Sequence, residues 1–474
     1  MVSVYFCFPA FDRALAFPRH ASRTLDDVSS RSGDMIDGAL VRISSQQATA
    51  WIFRAIAWAT LAWMLGGKAC ALLLLAALVT QTAARVLHAC RARASVARSV
   101  LALAVGGHVL LFASTIESPR WPFAVPIGMG VFMCHAISYL VDVNRGLVDP
   151  RHDATALLFL VQLPVFPAGP LWRFNEFRQQ LKHTDVTMAG FSYGIRRITT
   201  GLIKVLLIAE PLRSTADQIF ALRVTRLSTD TAWLGAVCAA LDVYFWVSGF
   251  SDVGIGLGRI VGFRLQENFR RPFTADSIRE FWRRWNVTLM TWLRDYLALP
   301  SAGHGRPTVR LFLATVTGML IVGSWQRTTL QVVPWALYFA SWLAIEALGF
   351  AAVLQRLPRV VRHIYVLVVV MFGWMLLRAT GPGPLVGYIE AMVGLSVMKF
   401  GASSVYLTWG FTTSLVCAII FAGPMVGNIS RWRVSVDAAT ASLIMMLAAT
   451  GVLMWQAVAG FRRLLSPGDG PNRS

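Results

Sequence analysis

The sequence predicts an all-α fold, a polytopic integral membrane bundle, and three observations carry that prediction. Hydrophobic residues make up 56% of the 474-residue chain and charged residues only 14%, with a mean hydropathy of +0.57. That leaves too little polar surface to clothe a soluble globule of this length. The apolar runs are continuous rather than alternating, so they read as helices and not as the strands of a membrane barrel. Only helices and closed barrels satisfy every backbone group in lipid, and a helical span takes roughly 20 mostly apolar residues. Finally, charge is concentrated in one place, residues 249–296, GFSDVGIGLGRIVGFRLQENFRRPFTADSIREFWRRWNVTLMTWLRDY.

The first 47 residues differ from the rest. MVSVYFCFPAF is a short apolar run with no basic residue before it, a poor signal peptide, and residues 12–45 are polar and broken by Pro18 and Gly33. Residues 1–47 are therefore expected to be an N-terminal extension, with Met35 as an alternative start that intact mass would test. Residues 48–474 are expected to form a single membrane domain, because no linker, internal repeat or low-complexity segment divides them. Candidate helices lie near 51–66, 69–87, 97–114, 121–141, 154–168, 190–210, 230–248, 308–323, 331–352, 362–379, 402–423 and 438–459. The cluster Pro164, Pro167 and Pro170 makes 154–168 a candidate re-entrant segment.

The net charge of +20 suits a membrane partner better than nucleic acid, since the basic residues fall between apolar segments where they meet anionic lipid head groups. No basic stripe with interleaved exposed aromatics points to nucleic acid. Arg91, Arg93 and Arg98 in one connection, and Arg462, Arg463 and Arg473 in the tail, place both on the cytoplasmic side. The central stretch is then mainly cytoplasmic, or dips in from that face. The six cysteines are scattered without CxxC pairs, which argues against a disulfide framework or a zinc site.

Polar residues inside apolar runs are costly unless they face protein or water. His135, Ser138, Tyr139 and Asp142 share one helix face and read first as an interhelical polar seam. Asp242, Ser248, Ser251 and Asp252 flank an aromatic run that leads into GIGLG, whose small residues permit close backbone approach. The glycines lack the βαβ context of a nucleotide site.

Taken together, the central stretch resembles the signature of the membrane-bound O-acyltransferase family, closest to its bacterial alginate O-acetylation branch. HAISYLVDVNRG, LPVFPAGPLWRFNEF, GIRRITTGLIKVLLIAEPL and FGWMLLRATGPGPLVGYIEAMVGL resemble that branch in the expected order. The resemblance implies about eleven transmembrane helices plus re-entrant and interfacial segments around a funnel or tunnel. It further implies a multi-pass protein of the bacterial inner membrane. No cofactor is bound; acyl-CoA or another acyl thioester is the donor, a hydroxyl of an exported polysaccharide is the acceptor, and a periplasmic acyl-transfer protein is the partner.

The resemblance assigns two catalytic positions. The first falls on Asn286 in EFWRRWNVTL, where the bacterial branch usually has His. The second falls on Gln326 in VGSWQRTTL, where Trp325 is kept but the family His is not. A positioned general base contributes about 10²- to 10⁴-fold, and a primary amide cannot supply it. Gln326 can still orient a hydroxyl or thioester carbonyl. His304, in the nearby SAGHGRP loop, is the candidate alternative base. Arg283, Arg284, Trp285, Trp292, Arg294, Asp295, Tyr296 and Trp325 are candidate donor-binding or tunnel-lining residues. Glu280 is spaced to pair with both Arg283 and Arg284, with Trp282 and Trp285 on other faces. No metal-ligand spacing appears. Two functions follow: an O-acyltransferase, most simply an O-acetyltransferase, or a catalytically silent relative that acts as a scaffold or binding partner.

Overall fold

The computed structural model describes residues 67–113, 129–151, 155–160, 169–182, 186–296, 309–326, 331–378, 382–395 and 408–423. The N-terminal extension, the candidate helices at 51–66 and 438–459, and His304 lie outside these. Among the described residues the regular structure is helical throughout, with no strand. In chain order the α-helices are α1 (Gly67–Ala89), α2 (Ala94–Ala113), α3 (Met129–Asn144), α4 (Thr155–Leu160), α5 (Phe174–Lys182), α6 (Met188–Ile203) and α7 (Glu210–Phe220). They continue as α8 (Thr229–Ile260), α9 (Ile278–Arg284), α10 (Val287–Tyr296), α11 (Val309–Gln326), α12 (Val332–Ile345), α13 (Ala351–Arg356), α14 (Arg359–Arg378), α15 (Pro382–Met392) and α16 (Trp409–Ala422).

Among the described residues five helices are long and apolar enough to cross a membrane, over Ala71–Ala89, Ala94–Leu111, Thr229–Ile260, Val332–Arg356 and Arg359–Arg378. The chain is thus a multi-pass membrane protein. The apolar side chains that remain exposed, such as Leu103, Leu110 and Val360, belong against lipid rather than water.

The central element is α8. Its 32 residues give about 48 Å of helix, and α6, α7, α14, α15 and α16 pack on it. The sequence suggested a helix ending near residue 248; instead α8 continues through GIGLG to Ile260. The glycines are tolerated because α6 fills the space that side chains would occupy. A Cβ on Gly194 would lie 2.6 Å from the carbonyl oxygen of Gly256, and the same conflict recurs between Gly201 and Gly249. Spaced seven apart on both helices, the four glycines let two antiparallel backbones touch, as small residues do in membrane helix pairs.

The segment expected to end near 210 also continues. A π-helical turn at Lys204–Ala209 joins α6 to α7 without a break, and a second at Glu346–Phe350 joins α12 to α13, with Gly349 at φ 129°. Such turns interrupt the regular ladder and often mark functional sites. Two main cores result. One gathers Phe159, Phe174 and Tyr139 between α1, α3, α4 and α5; the larger holds Phe281, Trp282, Trp285, Trp335, Phe339 and Trp374.

Candidate active site

Beyond α8 the charged stretch folds back along the helix it has just left. Leu265 packs on Gly258, Glu267 joins Arg197, which also binds Asp252, and Phe269 and Phe273 lie 5.7 and 5.2 Å from Tyr244. Tyr244 is 16 residues before the end of α8, about 24 Å along its axis. The stretch therefore dips into the bundle, as one of the two sequence readings anticipated.

Three fixtures seat α9 at the bottom of this dip. Ser277 is the N-cap, its hydroxyl accepting the Glu280 N–H at 3.1 Å. Glu280 in turn accepts the Asp276 N–H at 3.0 Å. The third is Glu346, in the π turn of a distant helix, whose carboxylate accepts the N–H groups of Ile278 at 2.6 Å and Arg279 at 3.0 Å and the Tyr365 hydroxyl at 3.1 Å. Helix N-termini leave N–H groups unsatisfied and carry partial positive charge, so a carboxylate there is doubly favourable. The S-x-x-E pattern at 277–280 signals a capping box; Glu346, 66 residues after Glu280, could not be matched to α9 from sequence.

Asn286 follows α9 in the left-handed region, at φ 43°, a conformation that Asn tolerates better than most residues. It is buried, 3% exposed, and sits between two short helices. Asn268 braces it from the returning strand of chain. The Asn268 carbonyl oxygen accepts the Val287 N–H at 2.8 Å, and its side-chain oxygen accepts the Thr288 N–H at 3.2 Å and hydroxyl at 2.8 Å. Thr288 Oγ1 accepts the Leu171 N–H at 2.9 Å.

Trp285, beside Asn286, belongs to a group of four indoles. Trp285 and Trp374 lie 5.1 Å apart between ring centroids, Trp374 and Trp335 5.6 Å, Trp335 and Trp282 5.8 Å, and Trp282 and Trp285 6.3 Å. Trp282 and Trp285 thus meet within one group, Trp285 already lying past the end of α9. Among the described residues none of the four indole N–H groups has a hydrogen-bond partner, although a buried donor without an acceptor costs free energy. Helix α11, which ends on Gln326, reaches the same group: Gly323 lies so close to Trp335 that a Cβ would sit 2.8 Å from its ring.

The remaining predicted residues divide. Arg284 binds Thr274 Oγ1 at 2.6 Å and pairs with Glu280. Arg283 is exposed, so Glu280 takes one arginine and not two. The i,i+4 partner wins because Glu280 is already turned toward Asp276 and Arg284. Trp292 donates to the Cys134 carbonyl at 3.0 Å, and Tyr296 donates to Asp142 at 3.0 Å. Asp295 pairs with Arg173, and Arg294 is exposed beside it. This second set is tied to α3, and Asp142 is where the polar seam meets it. His135, on the same seam, lies 4.5 Å from the Phe159 ring.

The buried carboxylates of α8 proved to have cationic partners that pattern reading missed. Asp252 holds Arg197 and Lys204, each at 2.6 Å; Asp242 holds Arg213 at 3.1 Å and Arg378 at 2.9 Å. The available signal was the recurrence of basic residues at 197, 204 and 213 in an apolar segment, each of which needed a partner inside the bundle.

Residues 148–325 match the family model described as MBOAT, membrane-bound O-acyltransferase family, a span that contains the whole of the re-entrant stretch. The chain is 37% identical over 266 residues to the probable alginate O-acetylase of Azotobacter vinelandii, covering 54% of this chain and 52% of that one. It is 26% identical over 303 residues to the peptidoglycan O-acetyltransferase of Helicobacter pylori, 57% of each chain. With the teichoic acid D-alanyltransferase of Streptococcus thermophilus it shares 22% identity over 236 residues, 46% of this chain and 56% of the other. The chain spans about half the length of the curated relatives it matches. The family match over residues 148–325 thus takes in Asn286, at the buried end of the charged stretch, and it is to the membrane-bound O-acyltransferase family that this part of the chain is similar.

Proposed function

We propose that the protein is a membrane O-acyltransferase, most simply an O-acetyltransferase. It moves an acyl group from acyl-CoA or another cytoplasmic acyl thioester to a hydroxyl of an exported polysaccharide, from the bacterial inner membrane and with a periplasmic acyl-transfer partner. The observation that carries this reading is the approach of both motif helices to one buried tryptophan group, α9 through Trp282 and Trp285 and α11 through Gly323 on Trp335. Relatives named for alginate and peptidoglycan O-acetylation favour acetyl and a glycan acceptor.

In the proposed reaction the acceptor oxygen attacks the thioester carbonyl. A C–O bond forms, the C–S bond breaks, the thiol leaves, and the hydroxyl proton ends on the departing sulfur. The role of the Asn286 carboxamide in this reading is to hydrogen-bond one reacting oxygen. The unpartnered indole N–H groups supply donors in a dry environment, where they are worth more than in water. Gln326 orients but does not take the proton, and turnover is accordingly slow beside a His-bearing site.

Labelled acyl transfer by purified protein in lipid tests this, with wild type, Gln326→His and Asn286→Ala compared. Wild-type transfer abolished by Asn286→Ala supports the reading. An inert wild type that gains transfer with Gln326→His supports instead the second reading, a silent relative serving as scaffold or binding partner, which the Gln at position 326 favours.

A further inference from the structure

A cleft of about 260 Å³ opens between α7, α8 and α14, lined among others by Arg213, Asp217, Asp242, Trp246, Trp374 and Arg378. It is remote from the Arg259 end of α8: 17 residues separate Arg259 from Asp242, about 25 Å along the helix. It is close to Asn286, because Trp374 lines the cleft and its ring centroid also lies 5.1 Å from that of Trp285. We propose that this cleft binds one unit of a polyhydroxylated chain, the acceptor of the transfer proposed above, on which this inference rests.

Three features of the cleft favour that ligand. Its charges balance: Arg378 is shared by Asp242 at 2.9 Å and Asp217 at 2.6 Å, and Arg213 binds Asp242 at 3.1 Å. Guanidinium and carboxylate groups side by side offer donors and acceptors together, which a hydroxyl can use in both directions. Second, bonding capacity is left over. Arg378 is only 7% exposed, yet among the described residues its Nε has no partner, and neither has the Trp374 indole N–H. A buried donor left unpaired is costly, and a ligand hydroxyl reaching this floor would relieve it. Third, the walls are aromatic. Trp246 carries Arg213 over its ring at 5.3 Å, while Asp217 stays 59% exposed at the rim. The volume lies below the roughly 300–1,000 Å³ of pockets that enclose drug-sized ligands, which suits a single sugar unit with its neighbours in the open.

Calorimetric titration of the purified full chain with an oligomannuronate hexamer, and separately with neutral cellohexaose, tests the proposal. Arg213→Ala and Asp217→Asn are expected to weaken binding of at least one probe about tenfold, the size of one lost charge-assisted hydrogen bond. Arg213→Lys, which keeps the charge, is expected to fall between, and Arg226→Ala, beyond the cleft in the turn after α7, to bind as wild type. Equal losses in all variants would reduce the effect to surface charge and overturn the site; so would unchanged binding in all of them, or wild type binding neither probe. The transfer assay separates this from the catalytic reading. Binding with this pattern but without transfer sinks catalysis and keeps the cleft, whereas transfer with an acceptor KM unmoved in both variants sinks the cleft and keeps catalysis.

Discussion

The carboxylate of Glu346 accepts the backbone N–H of Ile278 at 2.6 Å, so a residue in the π turn between α12 and α13 holds the start of the helix that leads to Asn286. Glu346 is buried, 2% exposed, and also engages Arg279 N and the Tyr365 hydroxyl. Glu346→Ala strips three donors of their acceptor at once. Loss of a cap costs about 0.5–2 kcal/mol and each buried donor left bare about 1–3 kcal/mol, so the expected result is a clear drop in thermal unfolding temperature in detergent together with loss of transfer. Glu346→Gln retains an acceptor oxygen and should lose less of both. Equal unfolding temperatures for Glu346→Ala and wild type would remove Glu346 from the support of α9.

The glycine contact between α6 and α8 makes a sharper stability prediction. At Gly201 an added methyl meets both backbone and side chain of α8, and at Gly249 the reverse holds. Overpacking costs about 1–3 kcal/mol where side chains can move, and here a backbone carbonyl must. Gly201→Val and Gly249→Val should each sharply reduce the yield of monodisperse protein. Gly107→Ala on α2, where nothing lies within 4 Å, should fold as wild type and, by helix propensity, slightly better.

How much of this could be read in the sequence follows from how local each feature is. The helical class, most helix positions and the candidate at Asn286 rest on apolar run length and on motif residues adjacent in the chain, which one sequence displays. The length of α8 was misjudged because GIGLG read as a boundary, and only the glycines of α6, more than 40 residues earlier, explain why the helix continues. The partners of Asp242 and Asp252, the Glu346 cap and the grouping of Trp282, Trp285, Trp335 and Trp374 depend on contacts between distant segments. Residue type announced that such buried charges and indoles needed partners; it did not say which.

The pair Asp276 and Glu280 should give stability a specific pH dependence. Burial raises the Glu280 pKa, but hydrogen bonds from the Asp276 side chain and backbone and the Arg284 guanidinium outweigh it and bring it down to about 2. The hydrogen bond to Glu280 holds Asp276 above its ordinary value. A carboxylate depressed in the folded state contributes stability above its unfolded value of about 4.3 and loses it as pH falls through the folded value. Glu280→Gln removes that contribution. The stability gap between wild type and Glu280→Gln should be full at pH 5–7 and narrow steadily between about pH 4.3 and 2. A gap that widens on acidification would reverse the assignment.

Orientation in the membrane can be decided with single cysteines at the two ends of α8. Arg264 is exposed just beyond Ile260, and Asp217 is exposed beside the far half of the helix. The basic connection at 88–98 joins the Arg264 end through a chain of contacts: Arg91 reaches the Arg145 carbonyl, Arg145 the Asp295 carbonyl, Asp295 pairs with Arg173 just before α5, and Gln180 of α5 bonds Arg264. If that end is cytoplasmic, as the basic connection at 88–98 predicts, then in a background with the six native cysteines replaced, Asp217→Cys should react with a membrane-impermeant maleimide on intact spheroplasts. Arg264→Cys should react only after permeabilisation. The opposite pattern would invert the protein and put the cleft at Arg213 and Asp242 on the cytoplasmic side, where an exported chain could not reach it. Labelling of both from outside would mean that the Arg264 end is not shielded by the bilayer at all.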